Sequence, residues 1–262
     1  MKSLTINSPA KVNLSLDILG KADDGYHQIK SIIHEYSELS DLVKIETTHH
    51  PDNTSTIFEA PKNGNCRILE GQENLAHHAL TLFKDHFKIT QNFKVTIQKN
   101  IPIASGLGGA SSNAATVLRG LNQILDLGKT AEDLIPLAVK LGMDVPFFLE
   151  GGTVLAEGYG EKLTPLPTIK NLKIKILPHS EWPQFPPHLD LERKTSSMYQ
   201  LLDLEKCGKH TGKTDKLIEL IQGDHTLQDL KILLHNDFET IMPVHAGLHL
   251  SGAGNAVFCI EN

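Results

Sequence analysis

The sequence predicts an α+β chain in two domains, on three observations. Val12, Leu14, Leu16 and Ile18 alternate with Asn13, Ser15 and Asp17, a period of two that marks a strand. From Phe93 to Leu125 a strand, a glycine-rich loop and an amphipathic helix follow one another. The Pro165/Pro167 pair then separates this region from a second set of elements. These are an alternating strand at Leu172–Leu177, helical stretches near 195–204, 213–222 and 226–234, and a last strand near 256–260. The expected domains are residues 1–166 and 167–262.

Taken in order, residues 2–7 and 12–19 read as two strands, and Gly20–Gly25 (GKADDG) as a turn. Ile29–Ile33 and Val43–Thr47 are further strands. Pro51–Asn65 is loop-rich around a short strand at Thr56–Phe58. Asn74–Phe87 reads as a helix with Leu75, Ala79, Leu82 and Phe83 on one side. A later helix begins at Thr130, which with Asp133 forms a cap-like pair, and ends at Gly142; Pro136 lies inside it. A strand at 153–157 follows, and 178–193 is proline-rich and irregular.

The informative stretch is Ile101–Asn122, IPIASGLGGASSNAATVLRGLN. Val117, Leu118, Leu121, Ile124 and Leu125 form one helical face, and Ser111, Ser112 and Asn113 sit where an N-cap belongs. Glycines let a backbone come close to a ligand, and a helix start presents unpaired N–H groups with partial positive charge. Together they suit a phosphate. The loop has neither the GxxxxGK[ST] pattern nor GxGxxG; it reads as a third class of loop or as a tight strand-to-helix turn.

Composition narrows the function classes. A net charge of -6 argues against a general nucleic-acid or membrane-surface binder. No apolar run is long enough to span a membrane, and MKSLTINSPAK lacks a signal-peptide core. Cys66, Cys207 and Cys259 are scattered and odd in number, which fits a reducing cytoplasm. Of the 14 histidines, His49–His50 and His77–His78 are adjacent pairs that do not share one helix face. His245 and His249 have the i, i+4 spacing of a zinc pair, but Gly247 intervenes and no third ligand is apparent. No metal site is expected from these histidines.

The run P-x-x-x-G-L-G-G-A-S-S-N resembles the nucleotide loop of the GHMP kinases, small-molecule kinases named for galactokinase, homoserine kinase, mevalonate kinase and phosphomevalonate kinase. Ser8–Leu14 (SPAKVNL) looks like the opening motif of the same superfamily. Gly25-Tyr26-His27, DVPFF at 144–148 and HNDFE at 235–239 are similar to the branch that phosphorylates the 2-hydroxyl of cytidine-diphospho-methylerythritol, in the non-mevalonate route to isoprenoid precursors.

The resemblance implies the two-domain GHMP fold, with a ribosomal protein S5 domain 2-like N-terminal domain and a ferredoxin-like C-terminal one. It implies ATP and Mg²⁺ as cofactors and Lys11 with Asp144 as the catalytic pair. Pro102, Ile103, Ala104, Ser105, Gly106, Leu107, Gly108, Gly109, Ala110, Ser111 and Ser112 would cradle the ATP phosphates, with Ser111 or Ser112 reaching the Mg²⁺. Asn13, Tyr26 and His27 would hold the substrate, an aromatic face and an imidazole suiting a nucleobase.

The match covers most of residues 3–167 and is sparse from there to 234. Four features depart from the family pattern. Ala253 stands in the SGAG turn (251–254) where a serine is usual, and Met143 precedes DVPFF where a serine is common. Only Thr240–His249 separate HNDFE from the turn; at about 1.5 Å per residue these ten positions are too few for a long helix and its connections. The chain also ends soon after the last strand, where members usually carry another helix, so the C-terminal domain is expected to be shortened. Two alternatives stay open: another GHMP kinase, against which Tyr26-His27 argues, and a non-catalytic relative. Lys11 and Asp144 argue against the second, and the short C-terminal region argues for it.

Overall fold

A computed structural model of the chain describes residues 1–48, 55–59, 74–191, 193–224 and 226–261. The chain forms two compact units, each assembled from separate stretches. One holds Met1–Ala10, Ser37–Ile103 and Gly108–Glu150; the other holds Lys11–Tyr36, Ala104–Leu107 and Gly151–Asn262. Two long strands, β1 (Ser3–Lys21) and β2 (His27–Thr48), supply residues to both units. Side-chain periodicity divides each into two shorter strands. The backbone stays extended through the intervals, because extended backbone does not require apolar alternation.

In the first unit, β2 pairs antiparallel through Leu42–Thr48 with a strand at Asn92–Gln98. That strand pairs parallel with Ser55–Glu59. In chain order these are β3 (Ser55–Glu59) and β4 (Asn92–Gln98). β3 contains the expected Thr56–Phe58 strand, while most of Pro51–Asn65, His49–His50 and Cys66 lie outside the described residues. Among the described residues four helices belong to the unit: α1 (Leu75–Phe87), α2 (Gly109–Leu125), α3 (Ala131–Leu141) and α4 (Phe147–Glu150).

Asn74 caps α1 by accepting from the Ala76 N–H at 2.9 Å. Ala76, Ala79, Leu80 and Phe83 are its buried face; Leu75 and Leu82 stay half-buried. On α2 the expected face is buried from Val117 to Ile124. Gly120 brings this helix close to β2, since a Cβ there would meet Ile45 Cδ1 at 2.4 Å. Thr130 and Asp133 form a full capping box on α3, with bonds of 2.9 and 3.3 Å, and Gly142 closes the helix.

In the second unit, β2 pairs antiparallel through Ile29–His34 with β5 (Thr153–Gly158), and β5 with β6 (Lys162–Leu166). A separate antiparallel sheet contains β7 (Ile174–Ile176). Helices α5 (Lys194–Gln200), α6 (Thr211–Gln222) and α7 (Leu227–Lys231) follow. β8 (His235–Asn236) pairs parallel with β1 at Ser15 and Leu16. β9 (His249–Leu250) and β10 (Val257–Ile260) complete the sheet ordered β7-β10-β9. His249 lies in β9, so the helical i, i+4 pairing with His245 does not arise. Between Thr240 and His249 no helix forms, as the ten-residue spacing predicts.

From Ser8 to Ile18 β1 is buried on both faces, so its polar side chains there need partners inside the protein. Buried polar groups are tolerated only when bonded. Ser15 Oγ accepts from the Ile32 N–H at 3.2 Å, and Asp17 Oδ2 accepts from the Thr214 hydroxyl at 2.6 Å. Asp17 Oδ1 lies 3.1 Å from His235 Nε2. That contact is an ion pair when the imidazole is protonated. Among the described residues no helix is long and apolar enough to cross a membrane.

Candidate active site

In the second unit the loop Ala104–Leu107 is pinned from two sides. The Lys11 N–H donates to the Leu107 carbonyl at 3.0 Å, and the Ala256 N–H donates to the Ser105 carbonyl at 3.0 Å. The Ser251 hydroxyl reaches the carbonyls of Gly106 (3.0 Å) and Lys11 (3.3 Å). Glycine is required at both contacting backbones. A Cβ on Gly106, whose φ is +87°, would lie 1.9 Å from the Ser251 carbonyl oxygen; one on Gly254 would lie 2.0 Å from Ser105 C and O. The SGAG turn therefore supports the loop backbone to backbone.

In the first unit Gly108, at φ 75°, caps α2 with no side-chain bond. The expected cap at Ser111–Asn113 is thus displaced by three residues. Ser112 and Asn113 lie within the helix and are buried, both bonded to the buried Ser8 hydroxyl at 2.8 Å. Ser111 is half-buried and Ala110 exposed. A helix of this length with uncapped first-turn N–H groups presents donors and partial positive charge to an anion.

Sequence reasoning missed Asp41 and Lys99. Asp41, fully buried, accepts from the N–H groups of Asn100 (2.7 Å) and Ile101 (2.8 Å) and pairs with the Lys99 amine. This fixes the turn out of β4. It also leaves the Lys99 Nζ only 3.1 Å from where a Cβ on Gly109 would sit, beside the start of α2. A lysine directly after a strand, 58 residues from its aspartate, carries no local signal of this.

Lys11 is 3% exposed, and a buried ammonium needs acceptors. Asn13 Oδ1 accepts from Lys11 Nζ at 2.5 Å. Asn13 Nδ2 donates to Ser31 Oγ at 2.8 Å, and the Ser31 hydroxyl donates to the Ser15 carbonyl at 2.6 Å. This relay fixes which way the amide faces and so aims its oxygen at the amine. A Cβ on Gly252, at φ +55°, would sit 2.9 Å from the same Nζ. Lys11, Asn13, the loop 104–107 and the SGAG turn are therefore one constellation.

Asp144 belongs to the other unit, half-buried in the turn Met143–Pro146 that joins α3 to α4. Its neighbours Phe147 and Phe148 are fully buried and pack edge to face at 4.9 Å, anchoring that turn.

Tyr26 and His27 lie at the start of β2. Tyr26 is 59% exposed, with its ring 5.6 Å from that of Tyr159. His27 stacks on Tyr199 at 4.8 Å and 28°, and Tyr199 meets the buried Phe238 edge-on at 5.0 Å. Burial and the charge of Lys21 lower the His27 pKa, so the ring is neutral at pH 7 and has one donor and one acceptor. Tyr199 has no signal in the sequence; it lies in the stretch where motif resemblance is sparse. Among the described residues no three His, Cys, Asp or Glu side chains converge as a metal cluster.

Residues 74–152 match the family described as GHMP kinases N terminal domain. A 4-diphosphocytidyl-2-C-methyl-D-erythritol kinase of Lachnoclostridium phytofermentans is 34% identical, the match covering 99% of this chain and 88% of the relative. One of Caldicellulosiruptor saccharolyticus is 35% identical over 98% and 88%. A crystal structure of 4-(cytidine 5'-diphospho)-2C-methyl-D-erythritol kinase superposes with a TM-score of 0.69 and 28% identity, covering 99% of this chain and 90% of that one. The chain belongs to the 4-diphosphocytidyl-2-C-methyl-D-erythritol kinase family, and it is a kinase with the α+β GHMP fold.

Proposed function

We propose that the chain transfers the γ-phosphoryl group of ATP to the 2-hydroxyl of 4-(cytidine 5'-diphospho)-2-C-methyl-D-erythritol, in the cytoplasm. One observation carries the reading. A buried lysine oriented by Asn13 and an aromatic turn, Tyr26-His27 backed by Tyr199, occur in the same unit. The first suits phosphoryl chemistry and the second a nucleobase. A GHMP kinase for a substrate without a base has no use for the aromatic turn.

Catalysis of this kind rests on positioning and on neutralising spread negative charge. Backbone N–H groups between Ile103 and Ser111 bind the nucleotide phosphates. The Lys11 amine stabilises charge developing on the transferred group, and Asp144 accepts the proton of the attacking hydroxyl. Mg²⁺ favours oxygen donors and keeps phosphate ligands. The Ser111 hydroxyl fits such an ion, whereas the Ser112 hydroxyl is engaged by Ser8. When bound, the ion neutralises charge on the phosphate oxygens. Residues 1–166 would serve nucleotide, catalysis and, through Asn13, Tyr26 and His27, the cytidine end, and residues 167–262 the rest of the substrate.

The test is ADP release from ATP and Mg²⁺ with and without the cytidine substrate. Release that does not depend on that substrate overturns the reading. Asp144→Asn should lower kcat by at least about 100-fold while leaving nucleotide affinity near wild type. Near-normal turnover would remove Asp144 as the base.

A further inference from the structure

We propose that Asp24 and Tyr159 are positioning residues that hold Tyr26 in its base-binding pose and so set affinity for the cytidine end of the substrate. The inference rests on the reading of Tyr26 and His27 as the cytidine grip.

The fold brings the two residues to this place for a simple reason. β5 pairs with β2 in a register that sets Gly158 opposite Ile29, two residues past His27. The turn from β5 to β6 therefore lies beside the turn that carries Tyr26. Gly158 (φ +70°) and Gly160 (φ +112°) shape it, and the Tyr159 N–H is held by Glu161 Oε2 at 2.7 Å.

Asp24 then joins the two turns with both oxygens. Its Oδ1 accepts from the Tyr26 N–H at 3.0 Å, and its Oδ2 accepts from the Tyr159 hydroxyl at 2.6 Å. The Tyr159 hydroxyl in turn lowers the Asp24 pKa, so the carboxylate stays ionised and the bond persists at neutral pH. One residue thus fixes both the backbone of Tyr26 and the ring that packs against it.

Tyr26 is 59% exposed, and an aromatic side chain left to solvent samples several rotamers. Restricting it before the ligand arrives removes part of the ordering cost of binding. Tyr26 has the Tyr159 ring on one side, while His27 is supported separately by Tyr199 and Phe238. The two halves of the grip therefore have different supports.

The test is steady-state kinetics of Tyr159→Leu, Tyr159→Phe, Asp24→Ala and Asp24→Asn, with both substrates varied. Tyr159→Leu should raise KM for the cytidine substrate about 3- to 10-fold, the worth of an aromatic pair. kcat and KM for ATP should stay within about two-fold of wild type, because only binding of one substrate is touched. Asp24→Ala should behave likewise. Asp24→Asn keeps one acceptor oxygen for the Tyr26 N–H and can donate its amide N–H to the Tyr159 oxygen, so it should recover part of the loss, and Tyr159→Phe should fall between Tyr159→Leu and wild type. Thermal melts serve as the fold control. Unchanged KM for the cytidine substrate in both Tyr159→Leu and Asp24→Ala overturns the proposal. So does a rise of both KM values together with a lowered Tm, which marks a general structural role. If the wild type releases no substrate-dependent ADP, the proposed function fails and this inference with it; active wild type with unmoved variants sinks the inference alone.

Discussion

Replacing Gly254 by alanine tests whether the SGAG turn supports the phosphate loop through backbone contact. The added Cβ would lie 2.0 Å from Ser105 C and O and 2.1 Å from Gly106 N. Real Cβ atoms essentially never come within 3.0 Å of such neighbours, and all three are backbone atoms that have no rotamer to change. The two backbones must therefore part by about 1 Å, an overpacking that costs about 1–3 kcal/mol. Parting them also weakens the Ala256 N–H bond to Ser105, worth about 1 kcal/mol. Urea unfolding should report a loss of about 2–4 kcal/mol on those two contributions. A 1 Å displacement of a phosphate-positioning loop should lower kcat/KM by about 100-fold. Gly212→Ala is the matched control: the position is exposed on α6, a Cβ there meets nothing within 4 Å, and stability should rise by about 0.5–1 kcal/mol. Wild-type unfolding and turnover in Gly254→Ala would show that loop and turn are not in the backbone contact described.

Asn13→Ala removes the amide oxygen that orients the Lys11 amine and should lower kcat about 10- to 100-fold, a charged hydrogen bond being worth about 1.5–3 kcal/mol; unchanged kcat would separate the relay from catalysis. Burial pushes the His34 pKa down to about 4, with Nδ1 bonded to Thr153 at 2.8 Å. The unfolded chain takes up this proton near pH 6.5 and the folded one does not, so stability should fall as pH drops from about 6.5 to 4, by about 3 kcal/mol at most. Urea midpoints of wild type and His34→Gln over that range check it, and parallel curves would refute it. His235 has the opposite sign. Burial lowers its pKa, but Asp17, the Leu233 carbonyl and Asp237 together raise it above the ordinary value. Its contribution is complete below about pH 6.5 and is lost as pH rises through the raised pKa. The downward slope of Tm above pH 6.5 should flatten in His235→Gln, and an unaltered slope would refute the assignment.

Local pattern makes much of the fold legible. The Thr130–Asp133 box, the Asn74 helix and the β4–loop–α2 succession lie where spacing and capping chemistry put them, because each signal is complete within a few residues. The helix start after the loop departs from its local signal for a physical reason. Ser and Asn favour caps when their side chains have no better partner, and here Ser8, 104 residues earlier in sequence, supplies one. A glycine in the left-handed conformation then caps instead. Asp41–Lys99, Asn13–Ser31 and Tyr159–Asp24 are illegible for the same reason, each joining residues that only the sheet pairing brings together.

The HNDFE segment shows how a motif can mark a site without touching the chemistry. His235 faces Asp17 on β1. Asn236 Nδ2 donates to the carbonyls of Leu250 and Gly252, both at 2.9 Å, and so shapes the turn whose Gly252 lies against Lys11. Asp237 Oδ2 accepts from the N–H groups of Ile18 (2.7 Å) and Gly208 (2.8 Å). Phe238 roots the Tyr199–His27 stack, and Glu239 accepts from the Leu250 N–H at 3.1 Å. Together the five residues hold β1, the 250–252 turn and the Tyr199 ring of the second unit. The five consecutive side chains thus bear on the site through the groups they position. Changes here should therefore act through geometry: Asn236→Ala should disturb the Lys11 side of the site, and Phe238→Leu the nucleobase side. Kinetics that separate phosphoryl transfer from cytidine affinity would tell the two apart.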